Sequence, residues 1–246
     1  MRDREESGEW VAGTLKERVE AIRARIARAA RRAGRDPASV TLVAVSKTVP
    51  VARLVEAAAC GCRIFGENRV QEALAKMEVI GARALLRIEW HLLGPLQTNK
   101  IKSAMGRFTL LHAVDRMEVA ERLDRAARER GLVQRVLLQV NVAREKTKHG
   151  FMPEEVLPAA ERMGMFAGLR VLGLMTIPPP AAAPEEARPH LGRLRELAAR
   201  VEALGIPGVA MTELSMGMSA DFETAIEEGA TLVRIGTTLF GPRPVG

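Results

Sequence analysis

The sequence predicts a single (β/α)8 barrel with one extra helix in front of it, and three observations carry that expectation. Short apolar runs rich in Val, Ile and Leu alternate with longer Ala, Glu and Arg segments of helical period, the pattern of parallel strands joined by helices. The alternation repeats eight times, and an open doubly wound sheet commonly uses fewer strands. In a chain of 246 residues with 47% hydrophobic content, those eight units leave no room for a second domain.

The predicted strands are "TLVAVS" at 41–46, "RIFG" at 63–66, "EWHLLG" at 89–94, "TLLHAV" at 109–114 and "VLLQVNV" at 136–142. "RVLGLMTI" at 170–177, "MTELS" at 211–215 and "TLVRIG" at 231–236 complete the set. Ahead of them, "ERVEAIRARIARAARRAGR" at 17–35 repeats Val19, Ile22, Ile26 and Ala29 at helical spacing, with arginines on the other face. A helix packed on the core explains that pattern. A membrane-surface or RNA-binding helix would share it, but no aromatic residues interleave with the arginines to stack on bases. "IPPPAAAP" at 177–184 reads as a stiff exposed loop after the sixth strand. Residues 1–13 are expected to be a flexible tail and residues 14–246 the barrel domain.

Composition narrows the function classes. The net charge is +7 and the pI about 10.1, but arginines spread over nearly every helical segment favour solvated faces over a nucleic-acid patch. Cys60 and Cys62, in "CGC", are too close for an ordinary disulfide and lack the second pair that a zinc site needs. The start of the chain, "MRDREESGEW", is charged, and no apolar run approaches the ~20 residues needed to span a bilayer. A reduced, cytoplasmic protein is expected.

The barrel gives the unusual residues one address. Lys47, Glu67, Asn68, Asp115, Asn141, Thr176, Ser215 and Gly236 fall at or just past the C-terminal ends of predicted strands, the face where barrel enzymes place their chemistry. Strands end where polar residues begin, so this agreement is partly automatic, and the chemistry rests on individual side chains. Lys47 follows the apolar run "LVAV" with only Ser46 between. A strand-end lysine is ordinarily solvated, but an amine at an apolar barrel mouth can lose its proton, and a neutral lysine is the nucleophile for a Schiff base. Arg234 lies within the last strand, where interior positions are normally aliphatic. It needs an acceptor: a carboxylate such as Glu67 or Glu213, or a ligand. "LSMGMSAD" at 214–221 and "RIGTTLFG" at 234–241 are Gly-containing turns in which Ser215 and Thr237 can add hydroxyls to backbone donors around a phosphate. The plainer use of the first turn is capping of the next helix by Ser219.

A Schiff-base lysine, a strand arginine and a phosphate cradle together describe a pyridoxal 5'-phosphate (PLP) site. The chain resembles the YggS/PROSC family of pyridoxal phosphate homeostasis proteins in "LVAVSKT", "FGENRVQEA", "WHLLGPLQTNK", "VNVAREKTKHG", "GLMTIP" and "LSMGMSADFETAIEEGATLVRIGTTLFGPR". The likeness runs from about residue 15 to the end of the chain. It implies a fold-type III barrel like the N-terminal domain of alanine racemase, with Lys47 as the attachment point. It further implies that Ser215, Gly236 and Thr237 hold the phosphate and that Arg234 faces the pyridine nitrogen. Asn68, His91, Met175 and Met216 would line the ring pocket. Arg69 stands where the family usually has tyrosine, which removes an aromatic near the cofactor, and Pro95 is a tolerated variant.

The resemblance implies PLP homeostasis or carriage without amino-acid turnover, with PLP-dependent apoenzymes as partners and neither nucleic acid nor membrane involved. Three features support the absence of turnover. A cationic Arg234 disfavours protonation of the pyridine nitrogen and weakens the ring as an electron sink. A racemase of the alanine type uses a tyrosine on the opposite face, and this sequence has none. The second domain of that enzyme also has no counterpart before Gly246, and without the dimer contacts it carries a monomer is the expectation. An amino-acid racemase, with His91 in place of the missing acid, is the alternative reading, and a basic RNA- or membrane-associated protein is the third.

Overall fold

The computed structural model describes residues 13–81, 88–145, 147–180 and 182–242. Apart from Gly13, the expected tail lies outside the described residues. The strands are β1 (Thr41–Val45), β2 (Ile64–Glu67), β3 (Glu89–Leu92), β4 (Leu110–Val114), β5 (Gln134–Gln139), β6 (Leu169–Met175), β7 (Val209–Ser215) and β8 (Leu232–Ile235). They pair in parallel in chain order, and β8 returns to β1 through Val43↔Arg234 and Ala44↔Ile235, so the barrel is closed. Helix α1 (Leu15–Arg32) precedes β1. One helix follows each strand in turn: α2 (Val51–Ala59), α3 (Val70–Gly81), α4 (Ile101–Ala104), α5 (Met117–Arg128), α6 (Val156–Gly164), α7 (Arg188–Glu202), α8 (Phe222–Glu227) and α9 (Thr237–Phe240).

All eight apolar runs are strands, and three of them, β3, β5 and β6, end two or three residues before the expected limit. β3 stops at Leu92 and β5 at Gln139, because the chain leaves the ladder there to build the mouth of the barrel. Val140 then forms an isolated parallel bridge to Phe151. Successive strand residues point to opposite sides. Val43, Leu93, Leu110, Leu137, Met175 and Leu232 fill the barrel interior, while Ala44, Phe65, Leu92, Leu138, Leu174 and Val233 face the helices.

The extra helix starts with a capping box, in which the Glu17 N–H donates to Thr14 Oγ1 and the Thr14 N–H to Glu17 Oε2, at 3.3 and 2.8 Å. Such a cap contributes about 1 kcal/mol. Its apolar stripe, Leu15, Val19, Ile22, Ile26 and Ala29, is buried. Each large side chain so placed contributes ~1.5–3 kcal/mol. The arginine face is less solvated than its pattern suggests, because α1 lies on α8 and α9. Arg25 stacks over the Phe222 ring at 4.6 Å and meets Glu223 at 3.2 Å; Arg32 meets Glu227 at 2.8 Å; Arg18 donates to the Leu239 carbonyl at 3.1 Å.

Cys60 and Cys62 are free thiols, and burial pushes that of Cys62 up to about 11. Among the described residues no helix is long and apolar enough to cross a membrane.

Candidate functional site

At the C-terminal ends of the strands the connecting segments enclose a cavity of about 300 Å³. Lys47, Lys148 and Arg234 share its wall with His149, and among the described residues no aspartate or glutamate lines it. Parity along the strands explains who reaches it. Val43 and Val45 point inward from β1, so Lys47, two residues on, projects into the mouth, half-buried. Asn68 stands in the same relation to Gly66 on β2. Its backbone is approached so closely by the segment after β3 that a Cβ on Gly94 would lie 2.3 Å from the Asn68 carbonyl oxygen.

Arg234 follows Leu232 on the inward face of β8 and is 4% exposed. Its Nη1 donates to Ser215 Oγ at 2.6 Å and its Nη2 to the Thr176 carbonyl at 2.8 Å. Neither expected carboxylate is its acceptor: Glu67 is bonded to Ser46 and Lys76, and Glu213 accepts from Thr231. Burial lowers the Arg234 guanidinium to about 10, with the charge of Asp221 acting the other way, so it stays cationic at neutral pH.

Beneath the cavity a hydrogen-bonded chain continues from Arg234 through Ser215 to two histidines. Ser215 Oγ lies 2.8 Å from His112 Nδ1, and His112 Nε2 lies 2.9 Å from His91 Nδ1. A guanidinium only donates, so Ser215 Oγ accepts from Arg234, and the His112 tautomer sets the direction of the two bonds that follow. Burial pushes the His91 imidazole down to about 4. Burial, followed by the charges of His91 and Arg234, holds His112 well below the ordinary histidine value.

Of the residues singled out in the sequence, Lys47, Asn68, Asn141, Arg234, Gly236 and Thr237 come together on the cavity wall. Ser215, His91 and Met175 do not reach it. They are inward-facing strand residues one layer lower, and Ser215 Oγ is engaged by Arg234 and His112 instead of facing the cavity. Met216 has the opposite parity and packs between barrel and helices. Arg69 is exposed and off the wall, where its charge favours ionisation of Glu72, while Pro95 is on the wall.

The structure adds residues that the sequence reading passed over. Ser219, taken there as a helix cap, lines the cavity, and its Oγ receives only a 3.4 Å contact from the Thr238 N–H. The turn that carries it bends at Gly217 (φ +89°), where a Cβ would also meet Ala225 Cβ at 2.6 Å. Thr238 Oγ1 is buried without a partner in the segment that follows Gly236 and Thr237. Lys148 reaches the wall from the segment after β5, its Nζ 2.6 Å from Glu145 Oε2; its neighbour Lys146 lies outside the described residues. Lys76 was legible as a lysine within the buried stripe Val70, Ala73, Ile80 of α3, and His112 as a histidine at an inward position of β4.

A closed parallel barrel with a lysine and a buried arginine at its mouth defines the class of this chain, and residues 18–244 match the family described as Alanine racemase, N-terminal domain. An alanine racemase from Corynebacterium glutamicum shares that fold, with a TM-score of 0.67 at 22% identity over 92% of this chain and 62% of that one. The Pyridoxal phosphate homeostasis protein of Aquifex aeolicus is 47% identical over 227 residues, 92% of this chain and 97% of that protein. The structure of PipY from Synechococcus elongatus with PLP bound gives a TM-score of 0.81 at 38% identity, covering 93% of this chain and all of that one. The chain belongs to the family of pyridoxal phosphate homeostasis proteins.

Proposed function

We propose that the cavity holds pyridoxal 5'-phosphate, attached covalently to Lys47, and that the protein serves in intracellular PLP homeostasis by holding the cofactor without turning over amino acids. The observation that carries this reading is the wall itself, where a lysine amine and a buried, cationic arginine meet with no carboxylate among the lining residues. Such a wall suits a ligand that is both an aldehyde and a phosphate dianion. The residues present fit that group: Ser219 Oγ is weakly engaged, Thr238 Oγ1 is buried without a partner, and Gly236 and Thr237 adjoin them. Bound PLP supplies an aldehyde carbon to which a neutral amine adds, with water leaving as the carbon–nitrogen double bond forms. Lys47 provides that amine. Ser219, Thr237 and Thr238 hold the phosphate by their hydroxyls. Arg234, which only donates, favours an unprotonated nitrogen on any ring placed against it. PipY, 38% identical, is the relative described with PLP bound.

Borohydride reduction of the PLP-loaded protein, followed by peptide mapping, tests the attachment: the reduced adduct is expected on Lys47 and to vanish in Lys47→Ala. Mapping to Lys148, Lys146, Lys100 or Lys102 would overturn it. Incubation of the loaded protein with L-alanine in deuterated buffer tests the absence of turnover. Deuterium at Cα or D-alanine, accumulating well above the rate with free PLP and abolished by Lys47→Ala, would show a catalyst.

A further inference from the structure

Under the lysine of the cavity wall lies a buried charged cluster that the proposed binding chemistry leaves unused. Lys76, on α3, is 7% exposed. Its Nζ reaches the Ser46 carbonyl at 2.6 Å, Glu67 Oε1 at 2.8 Å and Glu72 Oε1 at 2.7 Å. An ammonium has three N–H donors, and all three are committed here. The two carboxylates do not end the network. Glu67 Oε1 also accepts from the Ser46 hydroxyl at 2.6 Å, and Glu72 Oε1 from the Thr48 N–H at 2.6 Å. The backbone is therefore gripped on both sides of Lys47, at residues 46 and 48.

Stability alone is a poor account of this arrangement. Buried ion clusters are weak sources of stability, because desolvation offsets most of the attraction. This one also leaves Glu67 Oε2 buried without a partner. Burial raises the Glu67 carboxyl despite its bonds to Lys76 and Ser46. Thr48 sits at φ +64°, a left-handed conformation that β-branched residues rarely adopt. An unpaired carboxylate oxygen and a strained threonine persist together only where the surroundings over-determine the local geometry. What that geometry fixes is the direction in which Lys47 leaves the chain.

We propose that Lys76, acting with Glu67 and Glu72, is a positioning clamp for Lys47, holding the residues on both sides of it so that its side chain is directed into the cavity. The clamp rests on Lys47 being the point of attachment. Lys76 is a positioning residue and touches no reactant in this scheme.

The test compares wild type, Lys76→Met, Glu72→Gln and Glu72→Ala by the rate and extent of covalent PLP attachment, and by affinity for pyridoxine 5'-phosphate, which has an alcohol where PLP has the aldehyde. Misdirecting an attacking group by about 1 Å costs up to roughly a hundredfold, so Lys76→Met is expected to slow attachment roughly ten- to a hundredfold. Its affinity for pyridoxine 5'-phosphate should hold within about threefold, because the wall residues that hold the phosphate are untouched. A merely structural role would lower thermal stability and weaken both ligands alike, which overturns the clamp. So does attachment at the wild-type rate. Glu72→Gln keeps an oxygen for the Thr48 N–H and should stay near wild type, whereas Glu72→Ala should slow attachment. That pair, at the half-buried edge of the cluster, decides the matter if Lys76→Met does not fold. Equal rates for Glu72→Gln and Glu72→Ala overturn the clamp. An adduct mapped in wild type to a residue other than Lys47 overturns the attachment reading instead, so the two failures are distinguishable.

Discussion

His112 Nε2 lies 2.9 Å from His91 Nδ1, with the ring centroids 5.0 Å apart, inside a barrel where most inward positions are aliphatic. The contact holds one proton between two nitrogens, so it needs at least one ring neutral on that edge. Arg234, two bonds away through Ser215, adds its charge to the burial that holds His112 neutral.

This pair makes stability fall with acidity in a defined window. His91 titrates near 6.5 when unfolded and near 4 when folded, so between those values the unfolded chain binds a proton that the folded chain does not. Stability thus rises with pH through that window: it is fully present above 6.5, declines as pH falls, and levels off below about 4. The shift in His91 corresponds to about 3 kcal/mol, and His112 acts in the same direction. Urea unfolding of wild type and His91→Gln from pH 7 to 4.5 is the check. Subtracting the two curves removes the carboxylate background, and a difference that does not vary with pH would contradict the account.

Ser215→Ala removes the atom that joins Arg234 to His112 and leaves a buried guanidinium N–H and a ring nitrogen without partners. A loss of roughly 1–3 kcal/mol in unfolding free energy is expected. Affinity should fall for pyridoxal and its phosphate alike, since Ser215 acts through Arg234. A loss confined to the phosphate ester would mean that Ser215 Oγ leaves Arg234 to bind it.

How far the sequence reached follows from parity and from distance along the chain. Eight apolar runs of alternating chemistry are enough to order the barrel. Residues just past the strand ends, Lys47, Asn68 and Gly236, land on the cavity wall because the strand's own period points them there, and Thr237 joins them because α9 begins at it. His91, Met175 and Ser215 have inward parity too but sit lower along the axis, a depth that depends on strand stagger. Met216 shows the limit of a motif, since "LSMG" places serine and methionine side by side in sequence and on opposite sides of the barrel wall. The Lys76 network escaped notice because Ser46, Glu67 and Lys76 meet only when α3 folds back on β1 and β2.

Gly94→Ala should disturb the site without touching any polar group in it. The added Cβ would lie 2.3 Å from the Asn68 carbonyl oxygen and 3.1 Å from its Cα. Both are backbone atoms, so no rotamer change relieves the clash. Overpacking of this kind costs about 1–3 kcal/mol, and it displaces Asn68 from the wall. A lower melting temperature of the cofactor-free protein and weaker cofactor binding are expected together; an unchanged melting temperature would mean that the segment after β3 yields freely.

Thr238→Val gives the sharpest test of where the phosphate sits, because its sign depends on the answer. Thr238 Oγ1 is buried and has no partner, so in the cofactor-free protein its loss to an isosteric methyl group should be neutral or stabilising. If the hydroxyl meets the phosphate, the same change removes a hydrogen bond to a charged group, worth roughly 1–3 kcal/mol of affinity. The expected pattern is thus opposed: an unchanged or higher melting temperature without ligand, and weaker binding of pyridoxal 5'-phosphate. Pyridoxal, which has no phosphate, should bind both forms alike. Ser219→Ala and Thr237→Val should show the same selectivity, each weakening the phosphate ester by about the same amount. Calorimetric titration with pyridoxal and with its phosphate, alongside thermal unfolding, supplies the three quantities for each variant. If all three variants bind the phosphate ester as tightly as wild type, the phosphate lies against Lys148 and His149 on the far side of the cavity, and the orientation assigned to the ring turns with it.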